Sequence, residues 1–432
     1  MEFSRRRALQ LGLAGMAGLA VPGLASCSSD SKASSSSGGA PASMTLWYWG
    51  DGLGDSVVTK TQAQFAATTK LQTNKIGGDF KQKLTTTLAA GRFVPDITGI
   101  KGEDMASFLA NPGQFLDLND YGFRDLAPKY LDWKIKQATT TDGKVIGFPI
   151  DIGPTGLFYR EDLFGKAGLP TDPAAVGTQL AGWDDLFAAG VQLKAKVPGT
   201  FMIVDSATVF QAAVGQGTSR FIDKTNAFIG DQDHIRKAWD TAVKPVTLGI
   251  SAKIEDGSTD WNSGLAKGTL AAVVGAAWHG IDVQNAAPAT KGLWRVASAP
   301  GGPGNIGGSF LALPKQCKDP ALAFKIVSWL LSPENNAEGF TDSSLFPASP
   351  ATYTMPALTG GDPFFGGQKT IEIFGPAAQK IPVAYEAAAD AAVSAPYFSE
   401  LTKVEQQGKA SDQAWKDAVS QAKQIAARSG VS

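Results

Sequence analysis

Between residues 45 and 97 the hydrophobic period of the chain switches repeatedly, and that alternation leaves few folds open. Thr45-Leu46-Trp47-Tyr48-Trp49 is a β-branched and aromatic run ended by Gly50-Asp51-Gly52. Residues 56–69 place Val58, Gln62 and Phe65 at helical spacing, and residues 71–76 form a short extended run. Asp79 is positioned to cap a helix with Phe80, Leu84 and Leu88 on one face and Gly91 just past its end. Val94-Pro95-Asp96-Ile97 starts the next extended piece. Strand, helix, strand, helix, strand predicts a parallel sheet with helices on its faces.

A second block repeats the style. Asp142-Gly143 is a tight-turn dipeptide leading into the extended residues 145–151, and Gly156-Leu157-Phe158-Tyr159 reads as a strand followed by a short helix over 161–167. Leu270-Ala271-Ala272-Val273-Val274 reads as a buried strand. Near the end, Trp415, Val419, Ala422 and Ala426 mark one face of a helix that Asp412 is placed to cap. Trp183, Trp239, Trp329 and Trp415 fall in helical patterns and read as core. No repeat at a fixed period is visible.

Composition removes several function classes. With 43% hydrophobic and 18% charged residues, the chain can build real cores. Lys+Arg is 39 against Asp+Glu 40, without the cation excess that neutralises nucleic-acid phosphates. Two histidines (His234, His279) and two cysteines (Cys27, Cys317) make neither a zinc site nor a disulfide framework. No metal or other cofactor is expected.

The N-terminus reads as an address. Ser4-Arg5-Arg6-Arg7 is a basic region, and the apolar run 8–25 is broken by Gly12, Gly15, Gly18 and Pro22, a poor membrane span. Leu24-Ala25-Ser26-Cys27 resembles a bacterial lipobox, which implies cleavage before Cys27 and a lipid on its thiol. Residues 4–9 resemble a twin-arginine signal with Ala8 where that motif usually has Phe, so both export routes stay open. Residues 28–43 hold eight serines and read as a tether. Cys317 is then expected as a small buried hydrophobe.

Enzyme signatures fail. No G-x-S-x-G, H-E-x-x-H, C-x-x-C or P-loop occurs. Gly302-Pro303-Gly304-Asn305-Ile306-Gly307 fits G-x-G-x-x-G, but the following Gly308-Ser309-Phe310-Leu311-Ala312-Leu313 reads as a strand, not the helix a dinucleotide needs. A close-approach loop is the better reading.

Taken in order, several motifs resemble the family 1 extracellular solute-binding proteins, the carbohydrate branch serving ABC importers. They are Trp47-Tyr48-Trp49-Gly50-Asp51, then LTTTLAAGRFVPDI from Leu84, DGKVIGFPIDIGPTGLFYREDL from Asp142, and KGTLAAVVGAAW from Lys267. Gly307-Gly308-Ser309 and a helix over 320–331 complete the series. The resemblance covers nearly the whole chain after the tether. It implies an α/β, periplasmic-binding-protein-like fold of two lobes built from discontinuous domains around a hinge. The expected division is 1–26 signal peptide, 27–43 lipidated tether, 44–150 with 303–345 as one lobe, and 151–302 with 346–432 as the other. Crossings are expected near Asp151, in 301–309 and near Phe346-Pro347.

The implied ligand is a neutral mono- or oligosaccharide, passed to membrane permease subunits by an exported, lipid-anchored, monomeric protein that is not an enzyme. Sugars offer apolar faces to aromatic rings and hydroxyl edges to carboxylates and backbone groups. Trp47 and Trp49 share a strand face, Trp47 deeper and Trp49 with Tyr48 near the end that would meet the cleft. Asp51 stands where maltose-binding members place a hydroxyl-binding acid, although Gly52 replaces the Lys that follows there. Glu103 aligns with another sugar-contacting acid. Asp151 lies at the crossing, while the family's contact acid aligns with Gly153. Trp278 matches a sugar-stacking Trp, and His279 beside it is a hydrogen-bonding candidate. Gly308 and Ser309 belong to the return crossing, and Tyr397 and Phe398 are expected to line the cleft from the C-terminal part. Two other readings stay open: an exported glycoside hydrolase using cleft carboxylates such as Glu103, and a binder of a non-sugar solute, which, if anionic, would need converging Arg or Lys.

Overall fold

The computed structural model describes residues 42–50 and 52–432. Among the described residues nine strands form two sheets. The first contains β1 (Ser43–Tyr48), β2 (Lys70–Lys75), β3 (Ile97–Lys101), β4 (Phe148–Ile152), β8 (Ser309–Ala312) and β9 (Phe346–Pro347); the second contains β5 (Thr155–Arg160), β6 (Ala272–Ala276) and β7 (Trp294–Ser298). The strand orders are β2-β1-β3-β8-β4-β9 and β6-β5-β7.

The expected parallel core of the first sheet is present: β1 pairs in parallel with both β2 and β3. The rest of the sheet corrects the expectation. β8 runs antiparallel to β3 and β4, and β9 antiparallel to β4. The physical reason is connectivity. β8 returns from the second sheet, so it enters from the edge at which β3 and β4 end.

Local chemistry explains the elements. The helix Phe80–Ala90 starts at Asp79, whose carboxylate accepts the Gln82 N–H at 2.9 Å, and stops at Gly91 with φ 63°. It buries Phe80, Leu84 and Leu88 as the spacing predicts. The helix Pro320–Leu330 has Asp319 as cap and proline in its first turn. In β5 the side chains alternate between two apolar surroundings. Phe158 meets Phe365 and Phe374, both with ring centroids 5.9 Å away, whereas Tyr159 faces Phe164 at 4.7 Å.

The C-terminal helix differs from its expected cap and face. It spans Ser411–Arg428 with Ala410 at the cap position, and Asp412 instead pairs with Arg236 at 3.0 Å. Its buried stripe is Ala414, Ala418, Ala422 and Ala426. Small residues let this helix approach Asp390–Gln407 closely, which moves Trp415 and Val419 to the border. Trp239 is fully buried, but Trp183 and Trp415 lie half-buried at the border of a core cluster and Trp329 is half-buried edge-on to Phe65. Trp47 is half-buried as well, with Lys83 Nζ 5.1 Å from its ring centre. Cys317 is a buried free thiol whose pKa burial pushes up to about 12.

β4 and β5 are separated only by Gly153 and Pro154, so the chain passes from one sheet to the other within two residues. The return passage, between β7 and β8, runs beside it. Gly153 N–H donates to Asn305 Oδ1 at 2.9 Å, Ile306 N–H to the Gly153 carbonyl at 2.9 Å, and Thr155 N–H to the Gly304 carbonyl at 3.1 Å. The Gly302–Gly307 run is therefore a crossing loop that leads into a strand. Gly307 and Gly308, at φ 73° and 83°, adopt backbone that other residues rarely take.

Candidate functional site

The edge where β1, β3, β4 and β6 end gathers the polar and aromatic residues, as expected for ligand sites of α/β sheets. Trp49 follows β1, Lys101 ends β3 with Glu103 just beyond it, Asp151 lies one residue from the end of β4, and Trp278 follows β6. Ser309 opens β8 and, because that strand is antiparallel, pairs with Lys101 and Asp151 at the same edge. Trp49, Glu103, Asp151, Trp278, Gly308 and Ser309 all line one cavity of 300 Å³.

Each indole occupies space that glycines leave open. A methyl group on Gly99 would lie 2.7 Å from the Trp49 ring, and one on Gly52 2.8 Å from it. Phe80 meets Trp49 edge-on at 5.3 Å, and Lys101 Nζ lies 5.4 Å from its ring centre. Trp278 is half-buried against Gly153 and Gly307. The two indoles come from different sheets and share the cavity wall.

The acids differ in setting. Asp151 is buried and accepts a hydrogen bond from Ser309 Oγ. Burial raises its pKa, opposed by the charge of Lys134 and by the bonds from Ser309. Glu103 reaches the water of the cavity yet is enclosed by its walls; that desolvation raises its pKa, with Asp104 adding to the rise and Lys101 and Lys134 opposing it.

Glu103 and Gly307 also line an adjoining cavity of 470 Å³, with Phe210, Phe221 and Phe398 on its apolar side and Gln137, Arg220 and Glu386 on its polar side. A third space of 210 Å³, bordered by Trp133 and Tyr385, shares Gln137, Arg220, Asn305 and Glu386 with the second. The three together form one elongated cleft.

Three expected site residues lie elsewhere. Tyr48 points into the core of the first sheet, because alternation along β1 sends it opposite to Trp49. Tyr397 is fully buried against Phe221, with its hydroxyl donating to the Gly230 carbonyl at 2.9 Å, while its neighbour Phe398 is the one that reaches the cleft. His279 begins the helix His279–Ala286 and turns away from Trp278 toward Asp256, its Nε2 3.1 Å from Oδ2, in a separate cavity of 230 Å³. Burial works against the imidazolium, but the hydrogen bond and charge of Asp256 carry the pKa of His279 upward. Asp51 and Cys27 lie outside the described residues.

The sequence reading missed Lys134, Gln137, Arg220, Asn305 and Glu386. Asn305 had a signal, its place within the Gly302–Gly307 run. The others sit in segments that read as ordinary polar surface. Among the described residues no cluster of His, Cys, Asp or Glu is arranged to hold a metal, and no helix is long and apolar enough to cross a membrane.

The sequence model of a family described as bacterial extracellular solute-binding protein matches residues 58–361. The chain belongs to that family. Its members are exported binding proteins. A lactose-binding protein of Rhizobium radiobacter is 26% identical over 351 residues, covering 77% of this chain and 81% of that protein. An arabinooligosaccharide-binding protein of Bacillus subtilis (strain 168) is 26% identical over 271 residues, covering 58% and 59%. The crystal structure of a family 1 extracellular solute-binding protein superposes with a TM-score of 0.81 at 30% identity, over 89% of this chain and all of that one. The galacto-N-biose-/lacto-N-biose I-binding protein of a Bifidobacterium longum ABC transporter shares the fold, with a TM-score of 0.77 at 20% identity, over 91% and 99%. The two-lobed α/β architecture of the family is thus the architecture of this chain.

Proposed function

We propose that this solute-binding protein captures a neutral sugar or oligosaccharide between its lobes and delivers it to an ABC-type permease. The observation that carries the reading is the pairing of Trp49 and Trp278, from different sheets, around one cavity that also holds Glu103, Asp151 and Ser309. Indoles suit the C–H faces of a sugar, and carboxylates suit its hydroxyls. The sugar ligands named for the relatives support the same reading.

In this reading one lobe comprises about 44–152 and 307–347 and the other about 155–303 and 348–432; the boundaries expected at 150 and 345 shift because β4 runs to Ile152 and β9 (Phe346–Pro347) pairs with it in the first sheet. The paired crossings at 153–154 and 304–306 act as the hinge, so closure brings the two indoles onto opposite sides of the ligand. The cleft-facing Phe398 adds contacts at the rim. Cys27 carries the lipid that keeps the protein at the outer face of the cytoplasmic membrane, where it works as a monomer.

Calorimetric titration of the purified protein with lactose, maltose, galactobiose and arabino-oligosaccharides tests the reading, together with mass spectrometry of what copurifies. Saturable binding without turnover is expected. Consumption of a sugar, or no binding across the panel, overturns it.

A further inference from the structure

The cleft floor hides an ammonium group. Lys134, in the helix Asp132–Gln137, is 0% exposed, and its Nζ lies 3.8 Å from the centre of the Phe310 ring. Its hydrogen bond goes to Gln137 Oε1 at 3.0 Å. A methyl group on Gly308 would come within 2.8 Å of Nζ, so only glycine leaves room for the charge at the return crossing.

Acids face this ammonium from three elements. Asp151 comes from β4, Glu103 from the helix Gly102–Leu109, and Glu386 from the segment preceding the helix Asp390–Gln407. Lys101 and Asp104 flank Glu103, and Arg220 Nε lies 3.8 Å from Glu386 Oε1. Because Lys134 donates to the carbonyl oxygen of Gln137, the amide nitrogen points the other way. That nitrogen donates to Glu386 Oε2 at 2.9 Å. A donor-only ammonium thus sets the orientation of an amide that lines the cleft.

We propose that Lys134 is a positioning residue for ligand capture: its buried charge keeps Asp151 and Glu103 as hydrogen-bond acceptors and fixes Gln137 against Glu386 across the cleft. The inference rests on the sugar-binding reading above. The fold has already taken Asp151 out of water and closure does the same to Glu103; without a nearby cation that desolvation goes uncompensated. Burial lowers the pKa of Lys134 to about 8, while Asp151, Glu386 and Glu103 hold it from falling further. The charge is therefore present at neutral pH and lost in mild alkali, where surface lysines keep theirs.

The test is the pH profile of sugar affinity for the wild-type protein and Lys134→Met, using the tightest-binding sugar of the panel above. In Lys134→Met the carboxylates lose their cation and protonate at higher pH. Affinity should fall as pH drops from about 7 to about 5, by about tenfold per pH unit once below the carboxylate pKa, while the wild type changes less. A variant that matches the wild type in affinity and profile overturns the proposal. If Lys134→Met does not fold, the wild type decides alone: its affinity should drop between about pH 7 and about pH 9.5. Unchanged affinity across that range overturns the proposal. A wild type that binds no sugar of the panel overturns the sugar reading, and this inference with it; a wild type that binds well beside an unaffected variant overturns only the role of Lys134.

Discussion

The indole of Trp278 fills the space where Gly153 would carry a side chain. A methyl group on Gly153 would lie 2.6 Å from Cη2 of that ring and 1.8 Å from the Ile306 carbonyl oxygen. Gly153 therefore contributes only backbone here, and the indole occupies the adjoining space in the cavity wall. Gly153→Ala should displace both Trp278 and the return crossing. It should cost on the order of 1–3 kcal/mol of stability by overpacking and weaken sugar binding in the same variant. Denaturant unfolding and calorimetric titration read the two effects separately, and native values for both would mean that the crossing yields easily.

Truncating the ring itself separates stacking from core support. Trp278→Ala should weaken sugar affinity by about tenfold to a hundredfold, from about 1–3 kcal/mol of lost aromatic contact. Trp239→Ala, at a fully buried ring, should instead cost about 3–5 kcal/mol of stability. Equal destabilisation by the two would return Trp278 to the core.

Two buried acids give the fold a pH dependence. Burial pushes Asp205 and Asp390 up to about 6, even though each accepts backbone N–H bonds. Their pKa values are raised on folding, so the folded state holds the proton more tightly than the unfolded chain. Stability from these groups is fully present below about pH 4 and is lost as pH rises through about 6, on the order of 2–3 kcal/mol per group. Asp205→Asn keeps the helix cap and should flatten the dependence of melting temperature on pH across that window. An unchanged slope by scanning calorimetry would exclude Asp205 as a contributor.

The proposed anchor rests on one residue. Cys27→Ala should move the protein from the membrane fraction to the soluble fraction while leaving sugar affinity unchanged. Continued sedimentation with membranes would end the lipoprotein reading.

Closure has a dimensional signature. Sugar at saturation should lower the radius of gyration measured by small-angle scattering, because the closed state alone contacts ligand from both lobes. An unchanged radius would show that the free protein is already closed or does not hinge.

Where local chemistry decides an element, the sequence was legible. The helix from Phe80 needed only Asp79, three apolar residues at helical spacing and Gly91. The resemblance supplied what local chemistry lacks, the meeting of Trp49, Glu103, Asp151, Trp278 and Ser309 in one cavity from segments far apart in the chain. It misled at Tyr397 and His279. Whether an aromatic or imidazole faces a cleft depends on helix rotation, and Phe210, Phe221 and Asp256, which hold those two side chains inward, are distant in sequence. Lys134 had no local signal. A lysine between Trp133 and Ile135 in a short helix looks like surface, and only tertiary structure brings Asp151 and Glu386 around it.

The place of β8 between β3 and β4 has a consequence for biosynthesis. A chain leaving the ribosome N-terminus first exposes the facing, unpaired edges of β3 and β4 until residues 309–312 have been made. The whole second sheet emerges during that interval. Non-local pairing of this kind is slow to form, and open strand edges invite aggregation. A precursor handed to an export channel before β8 appears would still be unsealed and threadable, whereas one that crosses the membrane already folded must first wait for that single strand to close the sheet.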